Sequence, residues 1–324
     1  MKLIDIYARI KKDMNFIEKE LERSMNSEHA LMRQTSMHLL KAGGKRIRPI
    51  FVLLSGQFGH YNLERLSHIA VSMELIHMAS LVHDDVIDDA NTRRGQLTVK
   101  SKWDNRIAMY TGDYIFAESL QIITRFDDPQ IHRIMSNAIV EMSIGEIEQV
   151  RFFFNLGQTV RDYLLRIKRK TALLIAISCE LGAIAAGASD EYSRKLYSYG
   201  YNVGMAFQIR DDLLDLCGTE EQIGKPPGSD IRQGNLTLPV LLAMREPKLA
   251  VPLRNEIERI READGQTDVS RFLELVRGSE GLQKAEELAT RYIAKAIEDL
   301  QGLPELQAKR DLAGVAHFVG ERTY

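Results

Sequence analysis

Two apolar helical runs in this chain end in the same acidic pattern, and that repetition restricts the folds available to it. The first, AVSMELIHMASLVHDDVIDDANTRRG, runs from Ala70 to Gly95, and the second, YGYNVGMAFQIRDDLLD, from Tyr199 to Asp215. Placed on a helix at about 100° per residue, Met73, His77, Ser80, Asp84 and Asp88 share one face. Asp84 and Asp88 then lie one turn apart, about 6 Å along the axis. Asp85 points about 100° away and has a lesser part. In the second run Gln208, Asp211 and Asp215 share a face, continued upstream by Gly204 and Gly200, while Asp212 completes the pattern.

Carboxylates at a helix C-terminus oppose the helix dipole, so their placement there is unfavourable unless a cation compensates. Two carboxylates one turn apart do not easily chelate a small ion alone. They suit Mg2+, which keeps waters and takes phosphate oxygens as further ligands. One such motif reads equally well as a solvated helix end; two on two apolar helices do not. If the helices face each other across a cavity, their carboxylates surround a Mg2+–diphosphate site. The glycines on the second run either leave room for a substrate chain or permit close helix packing.

Any anion partner must be held locally, because the formal net charge is only −2, which argues against nucleic acid or an acidic membrane surface as a global partner. Local basic clusters do exist. KAGGKRIRP supplies Lys41, Lys45, Arg46 and Arg48 around a Gly-Gly turn; Arg93 and Arg94 follow the first acidic cluster; RIKRKT supplies Lys168, Arg169, Lys170 and Thr171; and Lys225 sits in a Gly/Pro loop just past the second cluster. Singly, each is an ordinary surface charge. Beside both acidic motifs they favour diphosphate, since Arg binds phosphate oxygens bidentately and Lys acts as a point charge. His77, on its own, reads as a core histidine.

Helical periodicity dominates and alternating strand patterns are almost absent, so the expected architecture is all-α, a single domain over 1–324 with ten or more helices. At this length roughly three-quarters of the extended-chain surface can be buried. The charged region from Arg245 to Gln301 reads as peripheral helices. TALLIAISCELGAIAAGAS, Thr171 to Ser189, approaches membrane-spanning length, but Glu180 at its centre and its many small residues favour a buried core helix over a membrane span. Two cysteines, Cys179 and Cys217, without a CxxC pair fit a reducing cytoplasmic setting. The N-terminus lacks the apolar core of a signal peptide.

The motifs GGKRIRP, LVHDDVIDDANTRRG, GDYIFAESL, RKTA, FQIRDDLLD and GKPPGSD…TLP stand in the order and approximate spacing of the trans-isoprenyl diphosphate synthases, which the chain resembles over most of its length. ELIHMASLVHDDVIDDA and KWDNRIAMYTGDY further resemble the catalytic component of two-component bacterial heptaprenyl diphosphate synthases. The resemblance implies the isoprenoid synthase fold around a tunnel-like cavity. It implies Asp84, Asp88 and Asp211 as principal Mg2+ ligands, supported by Asp85, Asp212 and Asp215. It implies Lys45, Arg48, His77 and Arg94 on the diphosphate of isopentenyl diphosphate. Arg93, Lys170, Thr171, Gln208 and Lys225 would contact the allylic substrate, with Lys170, Thr171 and Gln208 as the catalytic set. Many relatives have Lys at the position of Asn235, so no diphosphate contact is assigned there, and Leu97 replaces a common Pro after RRG.

The implied reaction joins isopentenyl diphosphate repeatedly to an allylic diphosphate such as farnesyl diphosphate, giving a long, heptaprenyl product for a menaquinone side chain. Ala79 and Ser80 are small where short-chain relatives carry bulk, leaving the tunnel open with Ile76 and Met73 deeper in it. The resemblance also implies a homodimer, or a heterodimer with a small non-catalytic subunit needed for activity, and a transient membrane contact for product release. Three rival readings explain less. A metal phosphohydrolase using His83–Asp84 leaves the second DDxxD unexplained, a class I terpene cyclase needs no second diphosphate pocket, and an idle subunit should lose an aspartate cluster.

Overall fold

The structure, a computed structural model, describes residues 3–223 and 226–321. In chain order its helices are α1 (Leu3–Ser24), α2 (Ala30–Lys41), α3 (Ile47–Gly56), α4 (Leu63–Ile87), α5 (Val99–Lys102), α6 (Asn105–Ile123), α7 (Pro129–Arg151), α8 (Val160–Ile167), α9 (Leu173–Ala185) and α10 (Asp190–Cys217). The short α11 (Glu220–Ile223), α12 (Ser229–Arg232) and α13 (Leu238–Ala243) follow, then α14 (Ala250–Glu262), α15 (Ser270–Arg277), α16 (Glu280–Asp299) and α17 (Gln307–Gly320). One π-helical turn, Lys168–Ala172, joins α8 to α9. The expected all-α class is what the chain adopts.

The one departure among the described residues is a two-stranded hairpin, β1 (Thr92–Arg93) with β2 (Gln96–Leu97), in antiparallel register Thr92↔Leu97 and Arg93↔Gln96. Its two central residues, Arg94 at φ 53° and Gly95 at φ 74°, are both left-handed, the requirement of a type I′ turn. Glycine takes one of these positions without strain. RRG is therefore a turn sequence as well as a source of charge.

The chain packs into two compact units: residues 1–136, 174–197 and 302–314 form one, and residues 137–173, 198–301 and 315–324 the other, with divisions falling inside α7, α9, α10 and α17. In the first unit α4 lies against α1, α3 and α6. Leu66, Ile69, Met73, Leu75, Ile76, Ala79 and Val82 are all buried, so α4 is apolar around its circumference and takes a central position. The side chain of Asn62 caps it, accepting from the Arg65 amide at 2.9 Å.

The core of the second unit gathers Tyr163 and Ile167 of α8, Met205, Ile209 and Leu213 of α10, and Leu238 and Leu241 of α13. α14 buries Leu253, Ile257 and Ile260 along one stripe and leaves its charged residues outward, as does α15 with Phe272, Leu273 and Val276. α9 is the buried helix that its composition favours. Among the described residues, no helix is long and apolar enough to cross a membrane.

Candidate active site

Basic residues from three parts of the sequence gather within the first unit. Arg46 caps α3 with a left-handed φ of 46°, an uncommon conformation for a side-chain-bearing residue. That turn sends its guanidinium inward, where it donates to Glu18 at 2.7 Å and to Glu74 of α4 at 3.2 Å. Gly44 leaves the necessary space: a Cβ there would come within 2.6 Å of Arg94 Nη1 and 3.1 Å of Arg46 Nη1. Two guanidinium groups thus converge on bare backbone. Tyr7 fastens the same loop by donating its hydroxyl to the Lys45 carbonyl.

Arg48 and His77 belong to the same basic cluster. Burial pulls the Arg48 pKa down to about 10, with the charge of Arg94 adding to the effect and Glu74 opposing it; the group stays cationic at neutral pH. Its Nε is buried without a hydrogen-bond partner. A buried donor of this kind costs stability until something accepts from it, and a diphosphate oxygen has the right charge and acceptor chemistry. Burial, followed by the charges of Arg48, Arg94, Arg93 and Arg46, holds the His77 pKa well below its usual range. The imidazole is therefore neutral and has one N–H to donate.

At the end of α4 the three aspartates divide. Asp85 is buried, and its Oδ1 accepts from Arg93 at 2.7 Å; burial raises its pKa and Arg93 counters that. Asp84 and Asp88 are only half-buried, and Asp88 forms the C-cap, its amide donating to the Asp84 carbonyl at 2.8 Å. Hard oxygen donors beside exposed helix carbonyls fit a divalent cation. His83 turns toward α6, with Nε2 3.3 Å from Asp113 Oδ1. Arg93, Arg94 and Asp85 also line a small cleft against Met78 and Leu81 of α4. Deeper in α4, Met73, Ile76 and Ala79 are buried, and the Ser80 hydroxyl donates to the His77 carbonyl at 2.9 Å.

The second unit holds the other expected residues, except Lys225, which lies outside the described residues. The π-turn widens the helix by one residue, a distortion concentrated at functional sites. Arg169 is tied to Glu141 and Glu148 of α7, and Lys170 to Glu146 at 3.2 Å. Thr171 donates to Gln208 Oε1 at 2.7 Å, and Gln208 Nε2 donates to Asp212 Oδ1 at 2.9 Å. Of the two readings of the α10 glycines, Gly204 follows close packing: a Cβ there would lie 2.5 Å from Ala172 Cα. Asp215 is buried and accepts from the Asp230 amide at 3.2 Å, while Asp211 is half-buried. Among the described residues no three His, Cys, Asp or Glu side chains converge into a closed metal cage.

Sequence reasoning missed two residues that organise these places. Glu74 is a buried acid inside an apolar run, and Tyr163, fully buried on α8, donates to Asp212 at 2.6 Å. Glu74 carried a visible signal, a charge at a helix position where every neighbour is apolar. Tyr163 carried none.

A helical fold with acid-tipped helices and an arginine cluster beside one of them fits the isoprenoid synthase class. The polyprenyl synthetase family model matches residues 29–276, and the chain belongs to that family. It is 49% identical over 324 residues to the heptaprenyl diphosphate synthase component 2 of Bacillus subtilis (strain 168), spanning 100% of this chain and 92% of that protein. The crystal structure of heptaprenyl diphosphate synthase from Staphylococcus aureus matches with a TM-score of 0.90 at 40% identity, over 97% of this chain and 98% of that one. A polyprenyl synthase from Caulobacter crescentus CB15, crystallised with calcium and isoprenyl diphosphate, matches with a TM-score of 0.91 at 32% identity, over 99% and 98%.

Proposed function

We propose that this chain condenses isopentenyl diphosphate repeatedly onto an allylic diphosphate such as farnesyl diphosphate, and that residues 1–324 work as one catalytic domain. The product is heptaprenyl diphosphate, the length named for the Bacillus and Staphylococcus relatives, made for a menaquinone side chain. The observation that carries this reading is the basic cluster itself: Arg48 is half-buried and cationic with a buried, unmet Nε donor, beside Arg94 and a neutral His77. A terpene cyclase has no use for this second anion site.

Lys45, Arg48, His77 and Arg94 hold isopentenyl diphosphate, while Arg93, Lys170, Thr171 and Gln208 face the allylic substrate. Asp84, Asp88 and Asp211 would be the Mg2+ ligands. When bound, Mg2+ neutralises negative charge developing on the leaving diphosphate. The allylic C–O bond breaks with its electron pair leaving on diphosphate, the isopentenyl double bond attacks the allylic carbon, and a proton passes to the departed diphosphate. The protein's cations favour this separation of charge, and the apolar wall of α4 keeps water from the intermediate.

A partner subunit is part of the proposal, since the Bacillus relative is one component of a synthase. α7 exposes Val140, Ile144, Ile147 and Val150 at 57%, 37%, 70% and 49%, within an arc of about 120° on the helix. Such an apolar stripe suits a protein interface, either with a second copy or with a small non-catalytic subunit.

Farnesyl diphosphate, labelled isopentenyl diphosphate and Mg2+ incubated with the pure chain, alone and with the candidate small subunit, test the proposal. Label in a heptaprenyl product is the expected result. No incorporation under either condition refutes it.

A further inference from the structure

Asp212 does not present itself as a metal ligand in the second unit. It is buried, and both of its oxygens already accept from the protein: Oδ2 from the Tyr163 hydroxyl at 2.6 Å and Oδ1 from Gln208 Nε2 at 2.9 Å. Tyr163 has 0% exposure, and the Arg166 guanidinium lies 5.5 Å from its ring centre. Arg166 is itself fixed by donating to the Leu236 carbonyl at 3.0 Å. The phenol has no freedom to turn away.

Three hydrogen bonds join these side chains in sequence. The Tyr163 hydroxyl donates to Asp212 Oδ2 at 2.6 Å. Gln208 turns its NH2 toward Asp212, donating to Oδ1 at 2.9 Å. The Gln208 carbonyl then faces Thr171, whose hydroxyl must donate at 2.7 Å. Both ends of the Gln208 amide are thereby engaged. Gly204 lets the π-turn close onto α10, because any side chain there would strike Ala172.

We propose that Tyr163 is a positioning residue, which through Asp212 and Gln208 fixes the Thr171 hydroxyl, and that Asp212 is a protein-facing anchor and not a metal ligand. The proposal rests on the prenyl-transfer reading for the use of Thr171, and on hydrogen-bond geometry for the relay. Truncating the phenol lets Asp212, Gln208 and Thr171 relax together, while Asp211 remains in place.

A double-mutant cycle tests it. Tyr163→Phe lowers kcat roughly tenfold with KM for isopentenyl diphosphate unchanged, since small misplacements near reacting groups are costly. In a Thr171→Val background Tyr163→Phe adds almost nothing; in Thr171→Ser, which keeps the hydroxyl, its effect persists. Multiplying effects in the Val background overturn the relay, because a general structural defect acts independently. If Tyr163→Phe does not fold, Gly204→Ala opens the relay from the other side and enters the same cycle.

The anchor role has its own readout, the thermal shift on adding Mg2+ with inorganic diphosphate. Asp212→Asn keeps the shift and Asp211→Asn loses it. Equal loss in both variants overturns the anchor. A wild-type chain that elongates nothing, with or without a partner, defeats the functional reading, and the thermal-shift comparison still decides the anchor.

Discussion

Neutralising Glu74 by Glu74→Gln should destabilise the protein far more than Glu18→Gln, although Glu18 makes the shorter bond. Both acids grip Arg46, Glu18 at 2.7 Å and Glu74 at 3.2 Å. At 3.2 Å and an effective dielectric of 20, the Arg46–Glu74 attraction is about 5 kcal/mol before solvation. Part of that is regained when the buried carboxylate no longer has to be kept from water. Breaking a buried pair typically costs about 3–5 kcal/mol, and Arg46 retains Glu18, so about 2–3 kcal/mol is expected. The Glu18 side chain is 40% exposed, against 3% for Glu74, and a pair with one end in water is worth about 1 kcal/mol at most. Urea unfolding of both variants checks the ordering, and a fall of about 3–4 °C in melting temperature should accompany Glu74→Gln. A Glu18→Gln variant as unstable as Glu74→Gln would show that burial is not what sets the strength of this pair.

Glu180 provides a test with pH as the variable, because burial raises its pKa from 4.5 to about 7. The folded state holds this proton where the unfolded chain has lost it, so its contribution is fully favourable below 4.5 and is lost as pH rises through 7. Full conversion gives about 3 kcal/mol, which partial solvent access reduces to about 1 kcal/mol. Glu180→Gln should therefore gain about 1 kcal/mol over wild type at pH 8 and little at pH 5 in denaturant titrations; equal gains at both refute this. In the chain-length series, Phe at Ala79, about 7 Å along α4 from Asp84, should give the shortest products on reversed-phase chromatography. Phe at Ile76 and then at Met73 should give progressively longer ones, and unchanged lengths throughout would remove α4 as the measuring wall.

Much of the fold was legible because it rests on short-range rules. The apolar run that becomes α4, the charged peripheral helices between Arg245 and Gln301 and the aspartates at helix ends are all patterns of local periodicity and composition. The π-turn at Lys168–Ala172 was not legible: RIKRKTA continues an ordinary helical rhythm, and only Gly204 closing onto Ala172 and the ties to α7 accompany the extra residue. In the sequence the hairpin at Arg94–Gly95 shows only as basic charge, since two-residue strands are too short for alternation to register.

What the sequence alone determined is the inventory: which helices are buried, where carboxylates and cations cluster, and hence the class of chemistry. Tertiary structure decided the partnerships. Arg46 could not be assigned to Glu74, Tyr163 to Asp212, or Asp85 to Arg93 from spacing, because each pairing depends on which faces meet after the chain has folded. The physical reason is range: periodicity and capping act over one or two helical turns, whereas desolvation and hydrogen-bond geometry between distant residues exist only once packing has excluded water.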